Sequence, residues 1–380
     1  MSLDTHSYAR NLAAAVLVAT GLLTAVARAE PGEKYVKTRA GDKPQPIVAV
    51  DNVCAWPNLT VLADGTVAAT IFNQPSHGSV PGDVECWASG DGGRTWQKRG
   101  TPAPHEPDTN RMNVAAGRTA DGDLIVIASG WSNRYPANRP GSPFRAGVLE
   151  PWVCRSGDGG RTWAIDKAAF PAKGPEGGPV IPFGDVVQAA DGTLRTAVYT
   201  CGSPRNDRVY VYRSPDDGKT WSRPVPLDDD HARNETALIH LGGGNWLAAA
   251  RTFGHDETGR SAYLDLYASA DDAGSWQHRM PLTASMQHPG HLLQLEDGRI
   301  LLSYGNRTSD RGVDVRLSDD EGKTFGPPLR VVDFQGDGGY PSSVQLPDGQ
   351  VLTAYYASAI EGHRRYHMGV IVWQPPPAGR

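Results

Sequence analysis

An eight-residue pattern of the form Ser-x-Asp-x-Gly-x-Thr-Trp recurs five times along the chain, and no other feature limits the fold so strongly. The copies run Ser89–Trp96, Ser156–Trp163, Ser214–Trp221, Ser269–Trp276 and Ser318–Phe325; the fourth carries Ala273 where the others have glycine, and the last ends on phenylalanine. Each follows a short alternating stretch such as Val209–Arg213. The pattern therefore reads as a hairpin turn: glycine supplies a positive φ, aspartate accepts turn amide hydrogens, and the closing ring packs between neighbouring sheets. Calcium loops also set aspartates near glycines, but they need alternating oxygen ligands and a terminal glutamate, which these tracts lack.

A second repeat lies upstream of each tract, where an apolar strand meets a tight turn and resumes. It recurs six times, around Asp64 and Gly65, Asp121 and Gly122, Asp191 and Gly192, Gly243 and Gly244, Asp297 and Gly298, and Asp348 and Gly349. Two hairpins per unit make a four-stranded blade, and six blades close around a channel, so the expected fold is an all-β, six-bladed β-propeller. The sixth unit has Tyr366–Trp373 but no turn tract, and Pro46–Val50 is free to supply its missing edge strand. Closure of that kind removes exposed sheet edges. The 44 glycines, 30 prolines and ten tryptophans suit a chain that turns often and packs large rings.

Arg10 precedes an apolar run from Leu12 to Val26, followed by Ala27, Arg28 and Ala29, a signal-peptidase pattern. The expected organisation is a signal peptide over 1–29, a single propeller domain over 30–380, and a secreted or periplasmic product without stable membrane insertion. With 37 basic and 42 acidic residues, net charge −5 and no basic block, a nucleic-acid partner is not expected. The four cysteines, Cys54, Cys86, Cys154 and Cys201, contain no C-x-x-C spacing, which argues against metal binding; a Cys54–Cys86 bridge and buried free thiols are both open. Neither a metal nor an organic cofactor is expected.

In a closed ring of blades, ligands meet the starts of the innermost strands and the loops beside them. Those stretches here are polar, aromatic or charged: Ala55–Asn58, Thr109–Asn113, Pro182–Asp185, Asn234–Thr236, Gln287–His291 and Gly339–Ser342. Arg251 and Arg307 fall at the ends of the second strands of units four and five, where converging guanidiniums can clamp a carboxylate. Arg111 and Asp185 are further candidates for substrate binding. His288 and His291 lie three apart on an extended start, which turns them to different faces and favours pocket lining over metal ligation. Trp56, Trp131, Trp152 and Phe183 are candidate sugar-stacking rings.

Taken together, the tracts, the leader and the six-unit layout resemble the sialidase (neuraminidase) superfamily of Asp-box, or BNR-repeat, proteins, over nearly all of the chain beyond the leader. The segment Asn234–Leu241 followed by Arg251 is similar to the sialidase segment whose glutamate is catalytic and whose following arginine binds carboxylate. Gly339–Gly349 resembles the segment bearing the nucleophilic tyrosine, with Arg307 upstream where the family's third arginine belongs. The resemblance implies a secreted glycosidase that removes a terminal, sialic-acid-like sugar from a glycan or glycoconjugate, with Tyr340 as nucleophile and Glu235 as its base. That chemistry is coherent, because a phenol with a pKa near 10 needs a neighbouring carboxylate to attack at neutral pH. Two departures stand out. Ala55, Trp56 and Pro57 replace the family's Arg-Ile-Pro, so the first clamp arginine is absent, with Arg111 a possible substitute from unit two. The acid/base aspartate aligns with His77, and Asp83 lies nearby; either could protonate a leaving group. The competing expectations are a sialidase-fold hydrolase or lyase acting on another sugar acid or polysaccharide, and a non-catalytic carbohydrate-binding propeller.

Overall fold

A computed structural model describes residues 44–134, 147–200, 207–228, 232–254 and 261–378, and the named elements within them are 24 strands. The leader over 1–29 and Cys201 lie outside the described residues. Strand β1 (Ile47–Asp51) stands apart at the start. Unit one holds β2 (Ala55–Val61), β3 (Val67–Phe72), β4 (Val84–Ser89) and β5 (Gln97–Ala103). Unit two holds β6 (Thr109–Arg118), β7 (Leu124–Ser132), β8 (Val148–Ser156) and β9 (Ala164–Asp166). Unit three holds β10 (Val180–Gln188), β11 (Leu194–Thr200), β12 (Arg208–Ser214) and β13 (Ser222–Pro226). Unit four holds β14 (Arg233–Gly242), β15 (Asn245–Phe253), β16 (Ala262–Ser269) and β17 (Gln277–Pro281). Unit five holds β18 (Gln287–Gln294), β19 (Ile300–Asn306), β20 (Gly312–Ser318) and β21 (Leu329–Asp333). Unit six holds β22 (Gln335–Gln345), β23 (Val351–Ala359) and β24 (His367–Trp373).

Within each unit the strands pair antiparallel in sequence order. β1 completes unit six by pairing with β24, Ile47 opposite Val370 and Val48 opposite Gly369, so the fourth strand comes from the other end of the chain, as expected for Pro46–Val50. Units two and three also share a short parallel pairing between β6 and β10. The first strands β2, β6, β10, β14, β18 and β22 touch in that order, and β22 returns to β2. The strands thus form five sheets around a ring of first strands, a propeller in which units two and three are joined in one eight-stranded sheet. Its apolar residues fill the spaces between adjacent sheets: Leu247, Leu264 and Leu302, for example, pack units four and five together.

The five tracts form nearly identical turns. In the first, Ser89 Oγ donates to Asp91 Oδ1 and accepts from the Gly93 amide. Asp91 in turn accepts from the Thr95 amide at 2.9 Å and the Thr95 hydroxyl at 2.6 Å, and Trp96 Nε1 returns to the Gly93 carbonyl. Glycine is favoured at position 93 by a φ of 88° and by the closeness of a Leu352 methyl of unit six, which a Cβ would meet at 2.2 Å, although the fourth tract holds Ala273 in the same place at a φ of 62°. The turn of one unit therefore rests against the sheet of its neighbour.

The hydroxyls of Thr95, Ser275 and Thr324, with the turn amides, hold the carboxyls of Asp91, Asp271 and Asp320 down to about 2. A folded value below the unfolded value of about 3.9 gives stability that is complete above that value and is lost as pH falls toward 2. The melting temperature should therefore drop steeply between about pH 4 and pH 2. Asp91→Asn should lower it by a few degrees at pH 7 and flatten its acid dependence, as read by calorimetry across that window.

Cys54, Cys86 and Cys154 are buried free thiols, so the Cys54–Cys86 bridge does not form. The reason lies in the layers. Cys86 faces Gly160 and Leu124 in the space between units one and two, whereas Cys54 precedes β2 and packs with the inner cluster.

Candidate active site

Every first strand breaks register close to its start: Ala55/Asn58 in β2, Arg111/Asn113 in β6, Phe183/Val186 in β10, Asn234/Thr236 in β14, Gln287/Gly290 in β18 and Gly339/Ser342 in β22. A bulge inserts an unpaired residue and re-aims its side chain. Trp56, Asn58, Asn113, Phe183, Glu235 and Tyr340, from or beside these bulges, line one open cavity where the strands converge, together with His77, Trp131 and His291.

Tyr340 takes its position from two glycines. The backbones of Gly305 and Gly339 pass so closely that a Cβ on Gly305 would stand 3.0 Å from the Gly339 Cα. That approach lays the Arg307 guanidinium 5.2 Å from the centre of the Tyr340 ring. Tyr340 itself has a φ of 51°, and Ala55 and Trp56 across the cavity have φ values of 36° and 45°. Positive φ at bulky residues costs of order 1–3 kcal/mol each and gathers at functional sites.

The Tyr340 hydroxyl donates to Glu235 Oε1, and Arg251 Nη1 donates to Glu235 Oε2 at 2.6 Å. Both carboxylate oxygens are thus occupied, one by the phenol and one by the guanidinium. Burial pushes the Tyr340 phenol well above its ordinary value and the Glu235 charge adds to this, against the pull of Arg251 and Arg307. The phenol is therefore protonated at rest. Burial disfavours the Arg251 charge, but Glu235 and Tyr340 outweigh it and its pKa rises. Arg307 Nη2 reaches the Tyr356 hydroxyl at 3.1 Å, which in turn donates to Asp337 Oδ2 at 3.0 Å.

Tyr340, Glu235, Arg251 and Arg307 are thus brought together; of these Tyr340 and Glu235 line the cavity, on whose wall His77 also stands, with Trp56 touching both His77 and Tyr340 at ring-centre distances of 5.1 and 5.9 Å. Asp83 is not part of this group. Its Oδ1 accepts from the backbone amide and Nδ1 of His105 at 2.8 and 2.6 Å, so the carboxylate fastens a loop beside β5. Arg111 is also turned away: its guanidinium lies 3.6 Å from the centre of the Trp152 ring, donates to the Glu150 carbonyl at 2.7 Å, and is buried. It does not replace the missing clamp arginine, because Trp152 and the Glu150 carbonyl hold its guanidinium while Met112 and Asn113 of the same strand line the cavity. Trp152 is occupied in the same way, whereas Trp56, Trp131 and Phe183 reach the cavity.

Asp185 sits below the cavity in a polar bridge across the ring. Its Oδ2 lies 3.2 Å from His291 Nε2 of unit five and its Oδ1 accepts from Asn58 of unit one at 3.3 Å. The Ser343 amide donates to His291 Nδ1, which leaves the proton on Nε2, facing Asp185. His288 is buried and takes no part in that bridge.

Sequence reasoning passed over Asp337, Tyr356 and Tyr366. Asp337 lies in a Gly-Asp-Gly-Gly run that reads as a turn, and its place three residues before Tyr340 on β22 was the signal available.

The BNR repeat-like domain family matches residues 65–352 of this chain. The chain belongs to that family, within the sialidase superfamily, and its fold is the propeller of sialidases. A sialidase from Micromonospora viridifaciens is 25% identical over 90% of this chain, which spans 57% of that enzyme's length. Among solved structures, a protein of unknown function from Dyadobacter fermentans superposes with a TM-score of 0.73 at 23% identity, covering 88% of this chain and 99% of its own. The NanB sialidase of Streptococcus pneumoniae superposes with a TM-score of 0.65 at 13% identity, covering 88% of this chain and 71% of its own.

Proposed function

We propose that the protein is an exported glycosidase that removes a terminal acidic sugar through a covalent bond to Tyr340. The observation that carries this reading is the pair Tyr340–Glu235 at the cavity wall, with Arg251 bound to the far oxygen of the carboxylate. A carboxylate in hydrogen-bond contact with a phenol is the arrangement that turns a weak nucleophile into a reactive one. As Tyr340 Oη bonds to the anomeric carbon, its proton passes to Glu235 and the glycosidic C–O bond breaks. Water then attacks the anomeric carbon, Tyr340 leaves, and Glu235 returns the proton. Arg251 holds Glu235 in place through their ion pair, and with Arg307 gives the site the positive charge that an acidic sugar requires. A neutral phenol is suited to such a substrate, because an anionic nucleophile would be repelled by its carboxylate; sialidases with a tyrosine nucleophile are a recognised exception to the two-carboxylate scheme.

The substrate need not be a sialoside. Ala55 stands in the place of the first clamp arginine, and the ring of its neighbour Trp56 packs against His77, Tyr340 and Tyr356. That favours a sugar acid whose carboxylate is held by two guanidiniums and whose ring packs on indole. The test is a panel of 4-nitrophenyl glycosides that includes an α-sialoside, uronides and neutral sugars, incubated with the wild-type protein. Release from an acidic glycoside is expected. Binding of a sugar without cleavage of any glycoside would leave a carbohydrate-binding propeller in its place.

A further inference from the structure

A second polar assembly on the cavity wall is built around Asp337. Its Oδ2 meets His77 Nε2 at 2.6 Å and accepts from the hydroxyls of Tyr356 at 3.0 Å and Tyr366 at 3.2 Å. These partners come from three separate places: the loop after β3, strand β23, and the turn before β24. The Asp337 amide is itself tied to Ser358 Oγ at 2.9 Å. The His77 ring stands edge-on to Trp56, Tyr356 and Tyr366, with ring centres at 5.1, 6.0 and 6.1 Å. His77 is thus held in one orientation while 42% of its side chain remains open to the cavity side. Its Nδ1 has no hydrogen-bond partner among the described residues. A carboxylate on one imidazole nitrogen fixes the ring's orientation and tautomer, which leaves the other nitrogen to give and take a proton.

We propose that His77 is the general acid/base of the reaction, acting through Nδ1 on the glycosidic oxygen, and that Asp337 is the residue that positions it. This rests on the tyrosine-glycosidase reading above. In the first half of the reaction the Nδ1 proton moves to the departing oxygen as the C–O bond breaks, leaving a neutral imidazole whose Nε2–H remains donated to the Asp337 carboxylate. In the second half Nδ1 takes a proton from the attacking water, and the imidazolium is restored. Asp337 and Tyr340 lie on one strand, so β22 positions the acid and carries the nucleophile at once.

The titratable and charged groups around the dyad are Tyr356, Tyr366, Arg307 and the buried Cys54 thiol. Burial, and then Asp337, push that thiol well up, so it is neutral. Burial works against the Asp337 charge, but His77 and Arg307 prevail and its carboxyl falls to about 2. Asp337 is therefore an anion throughout the range in which histidines titrate.

The experiment compares two glycosides of the sugar cleaved best in the panel, one with a 4-nitrophenol leaving group and one with methanol. Nitrophenolate departs without a proton, whereas methanol needs one. His77→Gln should lower kcat/KM for the methyl glycoside by about 10²- to 10⁴-fold and that for the nitrophenyl glycoside by less than about tenfold. Asp337→Asn should lower kcat/KM for the methyl glycoside by about tenfold or more and that for the nitrophenyl glycoside by less than about threefold, since His77 is no longer held in the orientation that serves the departing oxygen. A purely structural Asp337 would lower the melting temperature and reduce both glycosides alike, which overturns its positioning role. Equal losses on both glycosides in His77→Gln, or no loss on either, overturn the acid/base role alone. Failure of the wild type to cleave any glycoside overturns this inference together with the reading beneath it.

Discussion

Tyr340→Phe should abolish turnover of the best substrate, with kcat down by about 10³-fold or more, while the fold and sugar binding persist. The substitution removes one oxygen. Its ring keeps the stacking of Arg307 and the contacts with Trp56, Phe183 and Tyr356, and the positive φ at that position is unchanged. Glu235 loses a donor on one oxygen only, because Arg251 remains on the other. Melting temperature should therefore stay within a few degrees of wild type, and KM should change little, since ground-state contacts of the sugar do not depend on the phenol proton. Stopped-flow and steady-state rates on the nitrophenyl glycoside, with a melting curve, decide the matter. Retention of more than a tenth of wild-type kcat would sink the tyrosine mechanism, and Glu235 or His77 would have to act on water directly.

How much of this was legible beforehand follows from how each residue signals itself. The turn tracts and apolar hairpins recur with a period, and period is what a sequence displays openly; both the sheets and the borrowing of β1 by unit six follow from it. Tyr340, Glu235, Arg251 and Arg307 were marked by falling at strand starts and ends within recognisable motifs. Arg111 was misread as a clamp candidate for a physical reason. It falls in a stretch that does enter the cavity, but alternation across the β6 bulge sends Met112 and Asn113 inward and Arg111 onto Trp152. Asp83 was named for its nearness in sequence to His77, yet a chain turn separates them and His105 claims the carboxylate. Asp337 was missed because its partners, His77, Tyr356 and Tyr366, are 260, 19 and 29 residues away, and long-range hydrogen bonding leaves no local pattern.

Glu235 should prove sensitive for stability as well as for catalysis, and two substitutions separate those roles. Its side chain and that of Arg251 are only 11% and 19% exposed, and they form an ion pair at 2.6 Å. Glu235→Ala leaves a largely buried guanidinium without its counter-charge, a change that costs about 3 kcal/mol when one partner of a buried pair is removed. Urea titration should show that loss. Glu235→Gln keeps the shape and an oxygen for Arg251, so the stability penalty should be no more than about half as large. It cannot take the Tyr340 proton, however, and kcat should fall by about 10²- to 10⁴-fold. Replacing both members, Glu235→Leu with Arg251→Met, removes the uncompensated charge and should recover most of the stability lost in Glu235→Ala without restoring turnover. If Glu235→Gln instead keeps wild-type kcat, the carboxylate is there to hold Arg251 and the fold, and the base for Tyr340 must be sought elsewhere on the cavity wall.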